Sequence, residues 1–117
     1  MMIMELNQRG VSVLKVAGAR IDAASAAAFR ESLAAFVQRG VIRFVIDLSA
    51  VTFIDSTGLG ALVSALKHAG PSGEVVVAGA RESVATLFKL TRMDKVFRMF
   101  PTDVEAVAAM APRAGKT

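Results

Sequence analysis

Two hydrophobic periodicities alternate along the chain. Residues 41–48 give the cleanest strand, with Ile42, Phe44, Ile46 and Leu48 on one side and Arg43 and Asp47 on the other. Residues 3–7 and 11–17 read as two more strands; the second carries Leu14 and Val16 at period two, and Asn7-Gln8-Arg9-Gly10 between them is a turn signal. Residues 74–79 form a short apolar run of the kind found in a deeply buried strand. A short fifth strand is placed near Phe97–Phe100.

Helical spacing fills the gaps. Phe29, Leu33, Phe36 and Val37 fall at i, i+4, i+7 and i+8, in a helix that begins after Asp22 or Ser25 and stops at Gly40. Leu59, Leu62, Val63 and Leu66 fall at i, i+3, i+4 and i+7, and Gly70-Pro71 ends that second helix. Val84, Leu87 and Phe88 mark a third. A fourth begins at Thr102, whose spacing to Glu105 is that of a capping box, with Val104, Val107 and Ala108 as its apolar side. Strands alternating with helices predict an α/β domain. The short first turn makes the opening strand pair antiparallel, so the sheet is expected to be mixed.

Length and composition narrow the function classes. A chain of 117 residues is one domain, expected over residues 1–111, with the small, polar and basic residues 112–117 as a flexible tail. With 54% hydrophobic and 21% charged residues the chain is not intrinsically disordered. The absence of cysteine rules out disulfides, thiolate zinc sites, iron–sulfur clusters and cysteine nucleophiles. His68 is the only histidine, so a His-rich metal centre or a catalytic histidine pair is not available. No apolar run approaches the length of about 18 residues that reads as a membrane span. The first residues lack the pattern of a signal peptide, and a cytoplasmic location is expected.

The net charge of +4 comes mainly from residues 59–117, where eight basic side chains face five acidic ones. Lys89, Arg92, Lys95 and Arg98 recur every three residues. That strip would suit nucleic acid or an acidic partner, but no helix-turn-helix, zinc-finger or RNA-recognition signature accompanies it. The plainer reading is a solvated face beside a core anchored by Met93 and Phe97.

The chemically informative stretch is residues 47–60. A buried strand ends, a short apolar connection follows, and Asp55-Ser56-Thr57-Gly58 opens a helix. Ser56 falls at or beside the N-cap, where its hydroxyl could accept from first-turn amides. Gly58 and Gly60 each cost a helix about 1 kcal/mol against alanine, and a small exposed residue there lets another protein approach closely. A helix N-terminus tolerates an anion. A phosphoserine adds about −1.5 to −2 charges, which Asp55 would oppose. A partner that accepts the neutral hydroxyl would then meet like charge and added bulk. The plain alternative for Ser56 is an ordinary helix cap.

Other readings of these residues fail. Gly58-x-Gly60 lacks the third glycine of a dinucleotide fingerprint, because position 63 is Val63. Gly115-Lys116-Thr117 resembles the end of a P-loop, but Met110 stands five residues before Gly115 and no helix can follow. His68 lies about three turns along the helix from Ser56, too far to serve it as a base. It reads as an exposed histidine near a helix end.

Three segments together resemble a known family. They are Gly18-Ala19-Arg20-Ile21-Asp22, Val45-Ile46-Asp47-Leu48-Ser49, and the most specific, Phe53-Ile54-Asp55-Ser56-Thr57-Gly58-Leu59-Gly60. In this order and spacing they resemble the STAS domain, shared by sulfate transporters and bacterial anti-sigma factor antagonists, over nearly the whole chain. The resemblance implies a four- to five-stranded mixed β-sheet with about four α-helices. For a stand-alone antagonist it implies phosphorylation at Ser56 by an anti-sigma factor that is itself a serine kinase. The unphosphorylated form binds that kinase and frees the sigma factor, and a PP2C-type phosphatase restores it. Asp22, Asp55, Ser56, Thr57, Gly58, Leu59 and Gly60 are the implied partner-binding residues, and Asp22 has N-capping as its plain alternative. Thr57 replaces a second serine often found in the motif. On this reading the chain has no active site, cofactor or metal of its own, and it contacts no nucleic acid and inserts in no membrane. The alternative is a STAS subunit of a lipid-transport ABC complex that binds its ATPase and needs no phosphorylation. An enzyme or small-ligand receptor of another α/β type lacks the necessary bases, ligands and phosphate loops.

Overall fold

A computed structural model describes residues 3–111. Strands β1 (Ile3–Gln8) and β2 (Val11–Val16) form an antiparallel hairpin. Its turn residues Arg9 (φ 54°) and Gly10 (φ 82°) both adopt the left-handed region that a tight two-residue hairpin loop favours. The Asn7 side-chain oxygen accepts from the Gly10 amide at 3.2 Å. In chain order there follow β3 (Arg20–Ile21), α1 (Ala26–Gln38), β4 (Arg43–Asp47), β5 (Phe53–Ile54), α2 (Ser56–Ala69), β6 (Glu74–Ala78), α3 (Glu82–Leu90), a 3-10 turn (Met93–Lys95), β7 (Met99–Phe100) and α4 (Asp103–Met110).

The main sheet has the order β1-β2-β4-β6-β7. Every pair but the first is parallel, so the sheet is mixed, as the short opening turn predicts. Among the described residues, the five strands of this sheet and the four α-helices agree with the expected architecture. Strands β3 and β5 form a separate parallel pair that hydrophobic periodicity does not reveal.

Side chains of the central strand alternate between two cores. Phe44, Ile46 and Leu48 join Leu14, Val16, Val75 and Val77 under α1, α2 and α3. Val45 points the other way, with Val11, Val13, Val76 and Ala78, against Ala106, Val107 and Met110 of α4. The second face of residues 41–48 is therefore covered, and Asp47 on that face is only 5% exposed. Its carboxylate accepts from the Ser49 amide at 2.8 Å and lies 3.7 Å from the Lys15 ammonium.

One helical expectation needs correction. The buried face of α4 is Ala106, Val107 and Met110, not Val104, Val107 and Ala108. Val104 is 66% exposed, because the helix sits with Val107 between Ala106 and Met110 at the sheet. The Thr102 cap is as expected: its hydroxyl oxygen accepts from the Glu105 amide at 3.2 Å. Near the fifth strand, Phe97 precedes β7 and packs edge-on against Phe88, with ring centroids 6.3 Å apart. The tail expected at 112–117 lies outside the described residues.

Candidate functional site

The β3–β5 pair builds the site. Arg20 pairs with Phe53 and Ile21 with Ile54. The Thr52 amide donates to the Ala19 carbonyl at 2.7 Å, and the Asp55 amide donates to the Ile21 carbonyl at 3.2 Å. This clasp carries the segment after β3, with Asp22, to the edge where β5 hands the chain to α2. Two regions far apart in sequence thus meet beside Asp55 and Ser56.

Asp55, not Ser56, caps α2. Its backbone is extended, and its side-chain oxygen accepts from the amides of Thr57 at 2.9 Å and Gly58 at 3.3 Å. The Thr57 hydroxyl donates to the same oxygen. The Leu59 amide closes the turn on the Asp55 carbonyl at 3.0 Å. Ser56 is the first helical residue, one place beyond the position where a side chain can reach back to these amides. Its side chain is exposed, and its hydroxyl has no hydrogen-bond partner among the described residues.

The two glycines of the first turn differ in role. A Cβ on Gly58 would lie 2.7 Å from Ile54 Cγ1, 2.8 Å from Ile21 Cγ2 and 2.9 Å from the Ile21 carbonyl oxygen. Gly58 therefore lets α2 close onto the β3–β5 pair and is buried, not exposed. Leu59 is likewise in the core at 5% exposure. Neither presents a side chain to a partner in this conformation. Gly60 is half-exposed, and a Cβ there would meet only an Arg30 terminal nitrogen at 3.7 Å.

Asp22 caps the turn that leads into α1. Its carboxylate accepts from the amides of Ala24 at 3.1 Å and Ser25 at 3.3 Å, and pairs with Arg20 at 3.3 Å. The Arg20 guanidinium also lies 4.2 Å from the centroid of the Phe53 ring, which is 39% exposed. The Arg20 hydrogen bond holds the Asp22 carboxyl below its ordinary value against the opposing effect of burial, helped by the Ser25 hydroxyl and the Ser25 and Ala24 amides. Asp55 is held low chiefly by the Thr57 hydroxyl, with the amides of Gly58, Thr57 and Ala23 adding to it, again against burial. Both carboxylates are thus ionised near neutrality, so the edge around Ser56 already carries negative charge.

Between α1 and α2 runs a groove of about 440 Å³, lined by Ala27, Arg30 and Glu31 on one wall and by Ser56, Thr57 and Gly60 on the other. Arg30 and Glu31 escaped the sequence reading. Their signal is the stripe Ala23, Ala27, Arg30 at i, i+4 and i+7, beside the core stripe of Phe29 and Leu33.

The remaining candidates lie away from this edge. The exposed His68 ring meets its own helix, with Nδ1 2.8 Å from the Ser64 carbonyl oxygen. Lys89, Arg92 and Lys95 are exposed, and Arg98 pairs with Glu74 at 3.0 Å beside the buried Phe97. Among the described residues no group of three His, Cys, Asp or Glu side chains could hold a metal ion. No helix there is long and apolar enough to cross a membrane.

Comparison with known proteins places this architecture. The STAS domain family profile matches residues 3–106. The anti-sigma-F factor antagonist RsfB of Mycobacterium tuberculosis is 34% identical over 104 residues, which cover 89% of this chain and 84% of the relative. The crystal structure of an anti-sigma factor antagonist from Mycobacterium paratuberculosis superimposes with a TM-score of 0.83 at 34% identity, covering 92% of each chain. The fold recurs in the phosphorylated form of the Bacillus cell fate determinant SpoIIAA, with a TM-score of 0.68 at 16% identity over 92% of this chain and 98% of that one. With its β3–β5 clasp, capped α2 and motif residues 53–60 in place, the chain belongs to the STAS domain family.

Proposed function

We propose that the chain is a cytoplasmic anti-sigma factor antagonist whose binding is switched by phosphorylation of Ser56. The observation that carries this reading is the state of Ser56: exposed, first in α2, with a hydroxyl unengaged by its neighbours while Asp55 does the capping. A structural cap would have its oxygen turned onto the helix amides. A phosphoacceptor needs its oxygen free and its backbone held still, and the Asp55–Thr57 ties hold it. The antagonist names of relatives at 34% identity favour this reading over the subunit of a lipid-transport ABC complex.

The unmodified protein binds an anti-sigma factor with serine kinase activity, releasing the sigma factor. Asp22, Ser56, Thr57 and Gly60 supply the contact, and Gly58 and Leu59 hold the helix beneath them. Within the complex the Ser56 oxygen attacks the terminal phosphorus of a nucleoside triphosphate held by the kinase. The new O–P bond replaces the bond to the diphosphate, which leaves, and the serine proton passes to a base on the kinase. The chain acts as substrate and ligand and not as catalyst. The added negative charge meets the ionised Asp22 and Asp55 on one edge and separates the partners. A phosphatase of the PP2C type hydrolyses the phosphoester and resets the switch.

A pull-down from native cytoplasm tests this, with wild type and Ser56→Asp as baits. Recovery of a small ATP-binding kinase by wild type and its loss with Ser56→Asp is expected. Equal recovery of an ABC ATPase by both would contradict the reading.

A further inference from the structure

A phosphoryl group on Ser56 lacks an obvious counter-charge on its own helix. Three of the amides that would ordinarily receive an anion there are occupied. Thr57 and Gly58 donate to the Asp55 carboxylate at 2.9 and 3.3 Å, and Leu59 donates to the Asp55 carbonyl at 3.0 Å. Asp55 and Glu31 are the acidic groups nearest along the cap and the groove. Arg20, at the β3 end of the site, is committed to Asp22 at 3.3 Å and to the face of Phe53.

Arg30 is the exception. It lines the same groove as Ser56, from the opposite wall, and is exposed without an ion-pair partner among the described residues. One of its terminal nitrogens lies 3.7 Å from the place a Cβ on Gly60 would take. Gly60 is four residues from Ser56, on the same helical face, and such positions have Cβ atoms about 5–6 Å apart. The lack of a side chain at Gly60 keeps the space between guanidinium and serine open. A guanidinium presents a planar fork of donors that matches two phosphate oxygens, and charge-assisted bonds of this kind are the strong ones.

We propose that Arg30 is the counter-ion of the phosphoryl group on Ser56, drawing it across the groove onto α1. This rests on the reading of Ser56 as the phosphoacceptor. The contact ties the modified residue to a second helix, so the partner meets both an added charge and a groove closed at Gly60. It also shields the phosphoester by holding two of its oxygens.

The test installs phosphoserine at position 56 of the full chain during translation and follows its second ionisation by ³¹P NMR against pH. The charged groups facing it are Arg30 and Glu31 from α1, Asp55 at the head of α2, and the Arg20–Asp22 pair at the β3 end. A guanidinium a few ångströms away in a solvated groove favours the dianion, so Arg30→Gln is expected to raise the midpoint by about half a unit. Arg30→Lys should restore part of that shift. A midpoint unchanged in Arg30→Gln overturns the proposal. Installing the phosphate bypasses the kinase, so the two readings fail separately. A working switch with an unshifted midpoint removes Arg30 alone. A shifted midpoint in a protein whose Ser56 no kinase modifies keeps the anion contact and removes the switch.

Discussion

Asp55 and Thr57 are tied to each other across Ser56. One oxygen of the Asp55 carboxylate receives both the amide of Thr57, at 2.9 Å, and its hydroxyl. The residue between them is exposed, its hydroxyl without a partner among the described residues, on a backbone fixed on both sides. That is an economical arrangement for presenting a serine to another protein's active site, since little ordering remains to be done on binding.

The two glycines of α2 should respond to alanine with opposite signs. Gly58→Ala drives a methyl to within 2.9 Å of the Ile21 carbonyl oxygen, a backbone atom that cannot rotate away. The expected loss from overpacking is about 1–3 kcal/mol, which outweighs the gain in helix propensity of about 1 kcal/mol. Gly60→Ala meets nothing closer than 3.7 Å and should gain up to about 1 kcal/mol. Urea unfolding of the two variants checks the signs.

Acid should loosen this edge of the molecule. Asp22 and Asp55 both lie below their ordinary carboxyl value of 3.8 in the folded chain. A carboxyl lowered by folding contributes stability that is complete above its unfolded value and is lost as pH falls through the lowered folded value. The thermal midpoint should therefore fall as pH drops from about 5 towards 2. Thr57→Val removes the largest cause of the Asp55 shift and should flatten part of that slope. A slope unchanged in Thr57→Val would show that the hydroxyl contact does not hold the carboxylate ionised.

The orientation of α4 can be read from two valines. Val107 is 2% exposed against the sheet, and Val104 is 66% exposed. Val107→Ala should cost roughly 2 kcal/mol from lost burial and a small cavity. Val104→Lys should stay within about 0.5 kcal/mol of wild type. Comparable losses at both positions would contradict the observed face.

That pair also marks where the sequence was legible and where it was not. Alternation along residues 41–48 and the apolar run at 74–79 identify β4 and β6, because burial enforces a period over five residues or more. An eight-residue helix such as α4 contains too few turns for its apolar residues to define one stripe, and Val104 fell on the wrong side. Strands β3 and β5 are two residues each, too short for any period, and their pairing joins Ile21 to Ile54 across a whole helix and strand. The location of the candidate site at residues 53–60 was legible through its motif. The division of labour inside it was not. Asp55 and Ser56 are both good caps, and only the extended backbone at Asp55 decides between them. Gly58 and Gly60 read alike until the nearness of Ile21 separates them. Arg30 is a single cation on an amphipathic helix, and only the groove connects it to Ser56.

The central claim is that Ser56 is the switch. The most direct test incubates the chain with its captured kinase and ATP, maps the modified residue by mass spectrometry, and measures kinase binding of the modified and unmodified forms by calorimetry. The account predicts one phosphate, on Ser56, and a loss of affinity of tenfold or more, about 1.4 kcal/mol. It predicts that Ser56→Ala binds like the unmodified chain and takes no phosphate. Modification elsewhere, or a phosphorylated Ser56 that binds as tightly as before, would contradict it.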